Sequence, residues 1–197
     1  MSTVTRRPKR TPPAERLLTA ADLAALPTSL PTGDVRYELN DGRLVVMPPP
    51  GDIHGKRQGK IIRYLDSEAE ERGLGEMRGE VGIVLRRNPD RVVGADAAFI
   101  LTKSLPVRRT NEGYLETIPE LVVEIRSKND RTNKVRAKKE EYFQAGVSVV
   151  WVLDPDEQTV TAYYSPSQSR VFRSGDTLVC DLLPGFAVPV DKLFVGS

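Results

Sequence analysis

The sequence predicts a mixed α/β (α+β) fold in which a central mixed β-sheet is flanked by helices. Three observations predict it. The dipeptide Asp41-Gly42 lies between two apolar-rich segments, which is a strong signal for a β-hairpin near the N-terminus. A helical segment separates the apolar strand at 120–125 from the continuous apolar run at 147–155, a pattern typical of a crossover to a strand buried on both faces. Alternating segments after residue 158 add antiparallel strands at the C-terminus.

Two helices are predicted in the first half of the chain. A short helix lies within TAADLAALP (19–27), and Thr19 is its expected N-cap. A longer amphipathic helix runs from about residue 55 to residue 72 and ends at Gly73. Its apolar positions are Ile61, Ile62, Leu65 and Ala69.

The centre of the chain alternates between strands and one further helix. Strands are predicted near 76–85, 91–101 and 120–125, with an irregular polar excursion at 102–118. The strongest helical pattern covers 130–145 and is ended by Gly146. The last strands are expected within TVTAYY and near SRVFR and TLVCDLL.

The composition is that of one soluble globular domain, which we assign to residues 15–197. Hydrophobic residues make up 39% of the 197 positions and charged residues 28%, and the net charge is +2. Residues 1–14 are basic and rich in proline, which predicts a disordered tail that is either solvated or in contact with phosphate. The single cysteine, Cys180, cannot form an internal disulfide or a cysteine-based metal site. Without a secretory signal or a run of membrane-spanning length, a cytoplasmic protein is expected.

Two carboxylates interrupt apolar strands. Asp96 lies within VVGADAAFI (92–100), and Glu124 lies within LVVEI (121–125). Because burial of an unpaired carboxylate costs several kcal/mol, the two are expected to share a cation. Carboxylate oxygens together with water are the ligands that Mg²⁺ and Mn²⁺ prefer. The alternative is that each acid ends a strand and accepts hydrogen bonds from the backbone or from arginine.

The helix after Glu124 carries a lysine on its apolar side. Val135, Lys138 and Tyr142 are spaced by three and four residues, so they share one face. Since Val135 and Tyr142 are expected to face the core, Lys138 should point inward and require an acidic partner, for which Glu124 is a candidate. Alternatively, its long side chain extends to solvent.

The same segment is strongly basic. Seven Lys or Arg residues and one acid lie between Arg126 and Lys139. A carboxylate pair beside such a block suits a polyanion whose phosphodiester lies across a metal ion, although a solvated helix face is the alternative. The expected nucleic-acid contacts are Lys128, Arg131 and Lys134. A serine triad lacks its Gly-x-Ser-x-Gly motif, and the single histidine excludes a histidine metal cluster within one chain.

Seven segments carry a resemblance to a known family. They are YELNDGRLVVMP, a histidine at position 54 that opens a helix, GEVGIVL (79–85), VVGADAAFI, PELVVEIRSKND (119–130), KKEEYFQAGV (138–147) and VVWVLDP (149–155). In this order and spacing they resemble the bacterial Uma2 family of endonucleases, within the PD-(D/E)xK, restriction-endonuclease-like superfamily. The resemblance covers about residues 36–194 and implies a restriction-endonuclease-like core for the predicted sheet.

The resemblance implies roles for single residues. Asp96 is similar to the aspartate of the PD element, and Glu124 is similar to the acidic residue of the ExK element. Ala95 stands where the motif name has proline, a residue that shapes the strand and does no chemistry. Arg126 stands two residues after Glu124, where the motif name has lysine. In this family the lysine lies in the following helix, within K-x-x-x-Y-x-x-x-G-V, and Lys138 matches that position.

Further polar residues match family-like positions. Glu80 is expected to join the two carboxylates as a metal ligand. Glu38, His54 and Arg126 are expected to support the site. The implied cofactor is Mg²⁺ or Mn²⁺.

The expected function is Mg²⁺-dependent hydrolysis of phosphodiester bonds in nucleic acid, with DNA as the expected substrate and Asp96, Glu124 and Lys138 as catalytic residues. A homodimer is expected because such nucleases often cut two strands with two subunits, and no membrane is involved. One alternative is a decayed nuclease fold that binds nucleic acid without cutting it, of which Ala95 and Arg126 would be signs. Another is a structural domain that binds no metal.

Overall fold

The computed structural model describes residues 16–31, 33–47, 49, 51–107, 113–127 and 132–194. The basic tail predicted for residues 1–14 lies outside the described residues, as do Lys128 and Arg131, two of the predicted nucleic-acid contacts. Within the described ranges, no helix has the length and apolar character needed to cross a membrane.

The three predicted helices agree with the sequence pattern, with shifted ends. The described residues form α1 (Ala20–Ala24), α2 (Asp52–Leu65), α3 (Thr132–Ala145) and α4 (Asp191–Phe194). The predicted cap of α1 is confirmed, because the Thr19 hydroxyl accepts a hydrogen bond from the Asp22 amide and the Asp22 carboxylate accepts one from the Thr19 amide. The helix α2 begins earlier than predicted, with Asp52 in its positively polarised first turn, and it continues as a π-helical turn at Asp66–Glu70.

Eight strands form one mixed sheet. The strands of the chain are β1 (Ser29–Leu30), β2 (Gly33–Asp34), β3 (Arg36–Asn40), β4 (Arg43–Met47), β5 (Gly75–Arg86), β6 (Arg91–Leu101), β7 (Leu121–Ile125), β8 (Val149–Asp154), β9 (Thr159–Tyr163), β10 (Ser169–Phe172), β11 (Thr177–Val179) and β12 (Ala187–Pro189). The sheet order is β10-β9-β8-β7-β6-β3-β4, and β5 also pairs with β6. Only β7 and β8 are parallel among the described pairs of this sheet.

The predicted fold class is confirmed. The strands β3 and β4 form the early hairpin, and Asp41 and Gly42 take the positive φ angles (52° and 74°) that its tight turn requires. The crossover from β7 to β8 runs through α3, and all but the last residue of β8 are buried. The strand β11 pairs with β12 in a separate ladder and does not extend the sheet. Strands β1, β2 and β12 and helix α4 were not predicted, because elements of two to four residues give little periodic signal.

The helices α2 and α3 cover opposite faces of the sheet. Ile61 and Leu65 of α2 pack in one apolar cluster with Trp151 of β8. Tyr142 of α3 packs in another with Val150 of the same strand. Because successive residues of a strand point to opposite faces, the sheet separates the two helices.

The strand β6 exchanges its neighbour partway along its length. Residues 97–99 pair with 121–123 of β7, whereas Val92 pairs with Leu39 of β3. Since β5 occupies the other edge of β6 along nearly its whole length, β7 and β3 share a single edge. The strands β7 and β3 diverge from one another beside residues 94–96 of β6. We refer to this divergence as the fork, and it positions the site described below.

Replacement of Ile61 tests the packing of α2. Ile61→Ala should lower the free energy of unfolding by about 2–5 kcal/mol, because the side chain is fully buried and its truncation leaves a cavity. Ile53→Ala is the matched control in the same helix: that side chain is 51% exposed, and its loss should change the free energy by less than about 0.5 kcal/mol. Urea denaturation followed by the fluorescence of the buried Trp151 measures both. Equal losses would contradict the placement of α2 on the sheet.

Candidate functional site

The fork opens into a cleft of about 690 Å³, a volume within the range of ligand sites. The cleft is lined from β3, β4, β6, β7, β8, α2 and α3, and its polar lining includes Glu38, His54, Asp96, Glu124 and Lys138. A second cavity of the same volume lies beside β9 and β10, but it contains none of the predicted site residues. The cleft at the fork is therefore the candidate site.

Carboxylates replace strand partners at the fork. The amide of Gly94 in β6 donates to Glu38 Oε1 at 3.0 Å, and the amide of Ile125 in β7 donates to Asp96 Oδ2 at 2.7 Å. Both amides lie where β6, β3 and β7 part, so that side-chain oxygens satisfy backbone donors that would otherwise be buried without an acceptor. Asp96 thus accepts a hydrogen bond from the backbone, which was the alternative to a shared cation in the sequence analysis.

Helix α2 orients Asp96 from one side. Nε2 of His54 lies 2.9 Å from Asp96 Oδ1, and Nε2 of Gln58 donates to the Asp96 carbonyl oxygen at 2.7 Å. His54 and Gln58 are four residues apart and share one face of the helix. The hydrogen bond to Asp96 raises the pKa of His54, although burial opposes the change. Because His54 contacts the carboxylate of Asp96 and Gln58 contacts its backbone, α2 fixes both parts of this residue. Asp96 itself is buried, with 8% of its surface exposed.

Helix α3 surrounds Glu124 from the other side. The Tyr142 hydroxyl donates to Glu124 Oε1 at 2.5 Å, and Lys138 Nζ lies 2.9 Å from Oε1 and 3.0 Å from Oε2. Burial raises the pKa of Glu124 to about 7, and the Asp96 carboxylate adds to the rise while Lys138 and Tyr142 oppose it. A raised carboxyl pKa of this kind is common among titratable groups of functional sites.

Lys138 is the lysine that faces the carboxylates. Besides Glu124, its ammonium donates to the Gly94 carbonyl oxygen at 2.7 Å and lies 3.7 Å from Glu38 Oε1. Burial acts to lower the pKa of Lys138, but Glu124 and Glu38 raise it above its usual value, so the side chain remains charged. Its neighbour Lys139 donates to the Pro166 carbonyl oxygen at 3.0 Å, and its Nζ lies 4.0 Å from the centre of the Tyr163 ring.

Other predicted site residues lie at the margin of the cleft or outside it. Glu80 is not among the lining residues: its side chain is 43% exposed and lies 3.5 Å from the Arg36 guanidinium. Arg126 lines the cleft but forms an ion pair with Asp154 and not with the carboxylates. Lys134 lines the cleft and is exposed.

Sequence reasoning missed Gln58 and Arg91. The position of Gln58, one helical turn after His54, would have placed it on the same face. Arg91 bridges three elements: it donates to the Leu39 carbonyl oxygen at 2.8 Å, lies 2.8 Å from Glu141 of α3, and lies 3.6 Å from Glu38 of β3. No pattern in the sequence indicates this bridge, because it depends on the exchange of strand partners at β6.

The donor atoms of the cleft suit a hard divalent cation. Asp96 and Glu124 supply carboxylate oxygens, and Mg²⁺ commonly binds to one or two carboxylates and completes its coordination with water. Among the described residues, however, no group of three or more His, Cys, Asp or Glu side chains is arranged to hold a metal. The set therefore fits an ion that takes few ligands from the protein, and not a closed structural site.

Comparisons with known proteins support the same interpretation of the fold. A family model named Uma2, described as "Putative restriction endonuclease", matches residues 20–191. The chain is also similar to a crystal structure described as "a putative nuclease belonging to DUF820 from Anabaena variabilis ATCC 29413", with 21% sequence identity and a TM-score of 0.72. That similarity covers 90% of this chain and 97% of the other, and at this identity it shows the fold alone. No curated protein matches the chain.

Removal of the Tyr142 hydroxyl tests the enclosure of Glu124. Tyr142→Phe should raise the pKa of Glu124 further, because the lost hydrogen bond favours the charged form, and it should lower the free energy of unfolding by about 1–3 kcal/mol. Carboxyl NMR titration and urea denaturation measure the two effects. Tyr163→Phe, beneath Lys139, is the control and should leave the Glu124 titration unchanged. If both variants titrate as the unmodified protein does, the hydroxyl does not bind Glu124 in solution.

Proposed function

Because the chain belongs to the Uma2 family, we propose that it is a metal-dependent endonuclease that hydrolyses phosphodiester bonds of nucleic acid, with DNA as the first expected substrate. One observation carries the proposal. Asp96 from β6, Glu124 from β7 and Lys138 from α3 meet in one cleft at the fork, although they are distant in sequence. Two carboxylates can hold a divalent cation and a charged lysine can stabilise negative charge at the phosphate, and metal-assisted phosphodiester hydrolysis uses both contributions.

Asp96 and Glu124 are the proposed metal ligands, with the backbone carbonyl of Ile125 as a further oxygen donor. Bound Mg²⁺ or Mn²⁺ would lower the pKa of a coordinated water and offset negative charge on the phosphate. His54 and Gln58 hold Asp96 in one orientation, which limits the reorganisation needed during the reaction. Glu38 lines the cleft, so it is a better candidate than the exposed Glu80 for a third carboxylate.

Lys138 would supply positive charge at the phosphate that is attacked. Its ammonium is held by Glu124 and by the Gly94 carbonyl oxygen, so little conformational entropy is lost when substrate binds. A lysine acts here as a compact point charge, and this makes it suited to a phosphate that changes geometry during the reaction. Lys134, with Lys128 and Arg131 outside the described residues, is proposed to contact phosphates farther along the strand.

A second candidate function is binding of nucleic acid without cleavage. It is favoured by Arg126, which stands at the lysine position of the motif name and pairs with Asp154 instead of the carboxylates. The small number of carboxylate ligands points the same way. Cleavage assays with metal separate the two functions, because only the nuclease cuts. The homodimer and the cytoplasmic location stay predictions.

Titration with Mn²⁺ tests the metal site. The unmodified protein should bind Mn²⁺, and Asp96→Asn and Glu124→Gln should each weaken binding by about tenfold or more, because each loses a charged oxygen ligand. Isothermal titration calorimetry measures the affinity. Asp156→Asn, in the turn after β8, is the matched control and should bind as the unmodified protein does. Absence of binding in the unmodified protein would favour a domain whose acids serve only as hydrogen-bond acceptors.

Substitution of the two adjacent lysines tests the catalytic assignment. Lys138→Ala should reduce metal-dependent nicking of plasmid DNA by about 10²–10³-fold, the loss typical for a group that stabilises developing charge. Its affinity for Mn²⁺ should persist or rise, since the lost charge repels the metal. Lys139→Ala should cleave as the unmodified protein does, because its amine contacts Pro166 and not the carboxylates. Single-stranded DNA and RNA are assayed in parallel, and equal losses in both variants would contradict the assignment.

A further inference from the structure

The basic residues that line the cleft differ in what holds them. Those residues are Arg36, Arg91, Arg126, Lys134, Lys138 and Lys139. Four of them are bound to protein acceptors: Arg91 to Glu141, Arg126 to Asp154, Lys138 to Glu124, and Lys139 to the Pro166 carbonyl oxygen. Each of these four side chains has at least one close acceptor within the protein. A fifth, Lys134, is exposed in the first turn of α3.

Arg36 has hydrogen-bond donors that the protein leaves largely unused. Its Nε is shielded from solvent and has no hydrogen-bond partner among the described residues. Its ion pair with Glu80 is long, at 3.5 Å, and both side chains are about two-fifths exposed (39% and 43%). The exposed terminal nitrogens of the guanidinium hold only that long ion pair, so they can donate to an oxygen that a ligand supplies.

The strand β3 points Arg36 into the site. Arg36 and Glu38 are two residues apart in β3, so their side chains emerge on the same face of the sheet. Both line the cleft.

We propose that Arg36 is a phosphate-binding residue of the cleft, whose guanidinium takes a non-bridging oxygen pair of a nucleic-acid phosphodiester beside the metal-binding carboxylates. The inference rests on the proposed nuclease function and adds a specific contact to it. A guanidinium presents a planar fork of N–H donors that matches two phosphate oxygens, which the lysine ammonium cannot do. Lys138 and Arg36 thus have separate tasks. Lys138 is bonded to Glu124 beside the phosphate that is attacked, and Arg36 binds a phosphate of the nucleic-acid backbone.

Glu80 has a defined place in this arrangement. Glu80 pairs with Arg36 in the absence of a ligand, and a phosphate would replace it. Because an exposed ion pair contributes little to stability, breaking this pair costs little free energy. Glu80→Gln should therefore leave nucleic-acid binding unchanged or make it tighter. If Glu80 instead held the metal, Glu80→Gln would bind Mn²⁺ more weakly than the unmodified protein does.

The test measures binding separately from cleavage. Fluorescence anisotropy is recorded with fluorescein-labelled single-stranded DNA, duplex DNA and RNA oligonucleotides over a range of salt concentrations, with Ca²⁺ in place of Mg²⁺ so that the nucleic acid is not cut. Arg36→Gln should raise the Kd about tenfold and reduce the slope of log K against log salt by about one, as expected for the loss of one phosphate contact. Arg36→Lys should keep most of the slope but bind more weakly than the unmodified protein, because it keeps the charge without the fork. Circular dichroism and Mn²⁺ titration of both variants should match the unmodified protein.

Arg57→Gln is the matched control. Arg57 in α2 also has a shielded Nε without a partner among the described residues, but it does not line the cleft. If Arg57→Gln and Arg36→Gln lose the same affinity and slope, a general loss of charge explains the result and the assignment of Arg36 is wrong. If Arg36→Gln binds DNA as the unmodified protein does, the assignment is also wrong, while the nuclease proposal stands. Failure of the unmodified protein to bind either DNA or RNA would overturn both.

Discussion

The exchange of strand partners along β6 is the constraint on which the site depends. Where β6 stops pairing with β7 and begins to pair with β3, some backbone groups have no partner on either neighbouring strand. Both polar groups of Gly94 bond to side chains, its amide to Glu38 and its carbonyl oxygen to Lys138, and the Ile125 amide bonds to Asp96. Polar side chains are thus required at the fork by the backbone itself, since unpaired buried peptide groups are strongly unfavourable.

The same contacts assemble a charged cluster in a largely apolar sheet. Glu38, Asp96 and Glu124 would repel one another in the interior if Lys138 and Arg91 did not lie among them. The raised pKa of Glu124, about 7, indicates that this compensation is incomplete and that burial still disfavours its charge. Such a balance is costly for stability, and under the proposed function a bound cation would offset the negative charge of the carboxylates. A hydrogen-bonding role and a metal-binding role are therefore compatible in these residues.

Two helices on opposite faces complete the arrangement. From α2 come His54 and Gln58, both directed at Asp96, while α3 supplies Lys138 and Tyr142 to Glu124. Each helix is fixed by its own apolar cluster, so the polar groups are held by rigid elements and not by loops. The chain belongs to the Uma2 family, and its own sheet and helices carry the residues that we propose for phosphodiester chemistry.

The sequence by itself determined the fold class, because hydrophobic periodicity and turn residues act over short distances. The Asp41-Gly42 turn, the buried run of β8 and the capped helix α1 all follow from local pattern. The inward face of α3 could also be predicted, since Val135, Lys138 and Tyr142 are spaced at helical intervals. Only the tertiary structure decided what Lys138 would meet, which of Glu38 and Glu80 would line the cleft, and that Arg91 would bridge α3 and β3. These outcomes depend on where β6 changes from one neighbouring strand to the other. That position is set by pairing between strands that are far apart in sequence, and local periodicity carries no information about it.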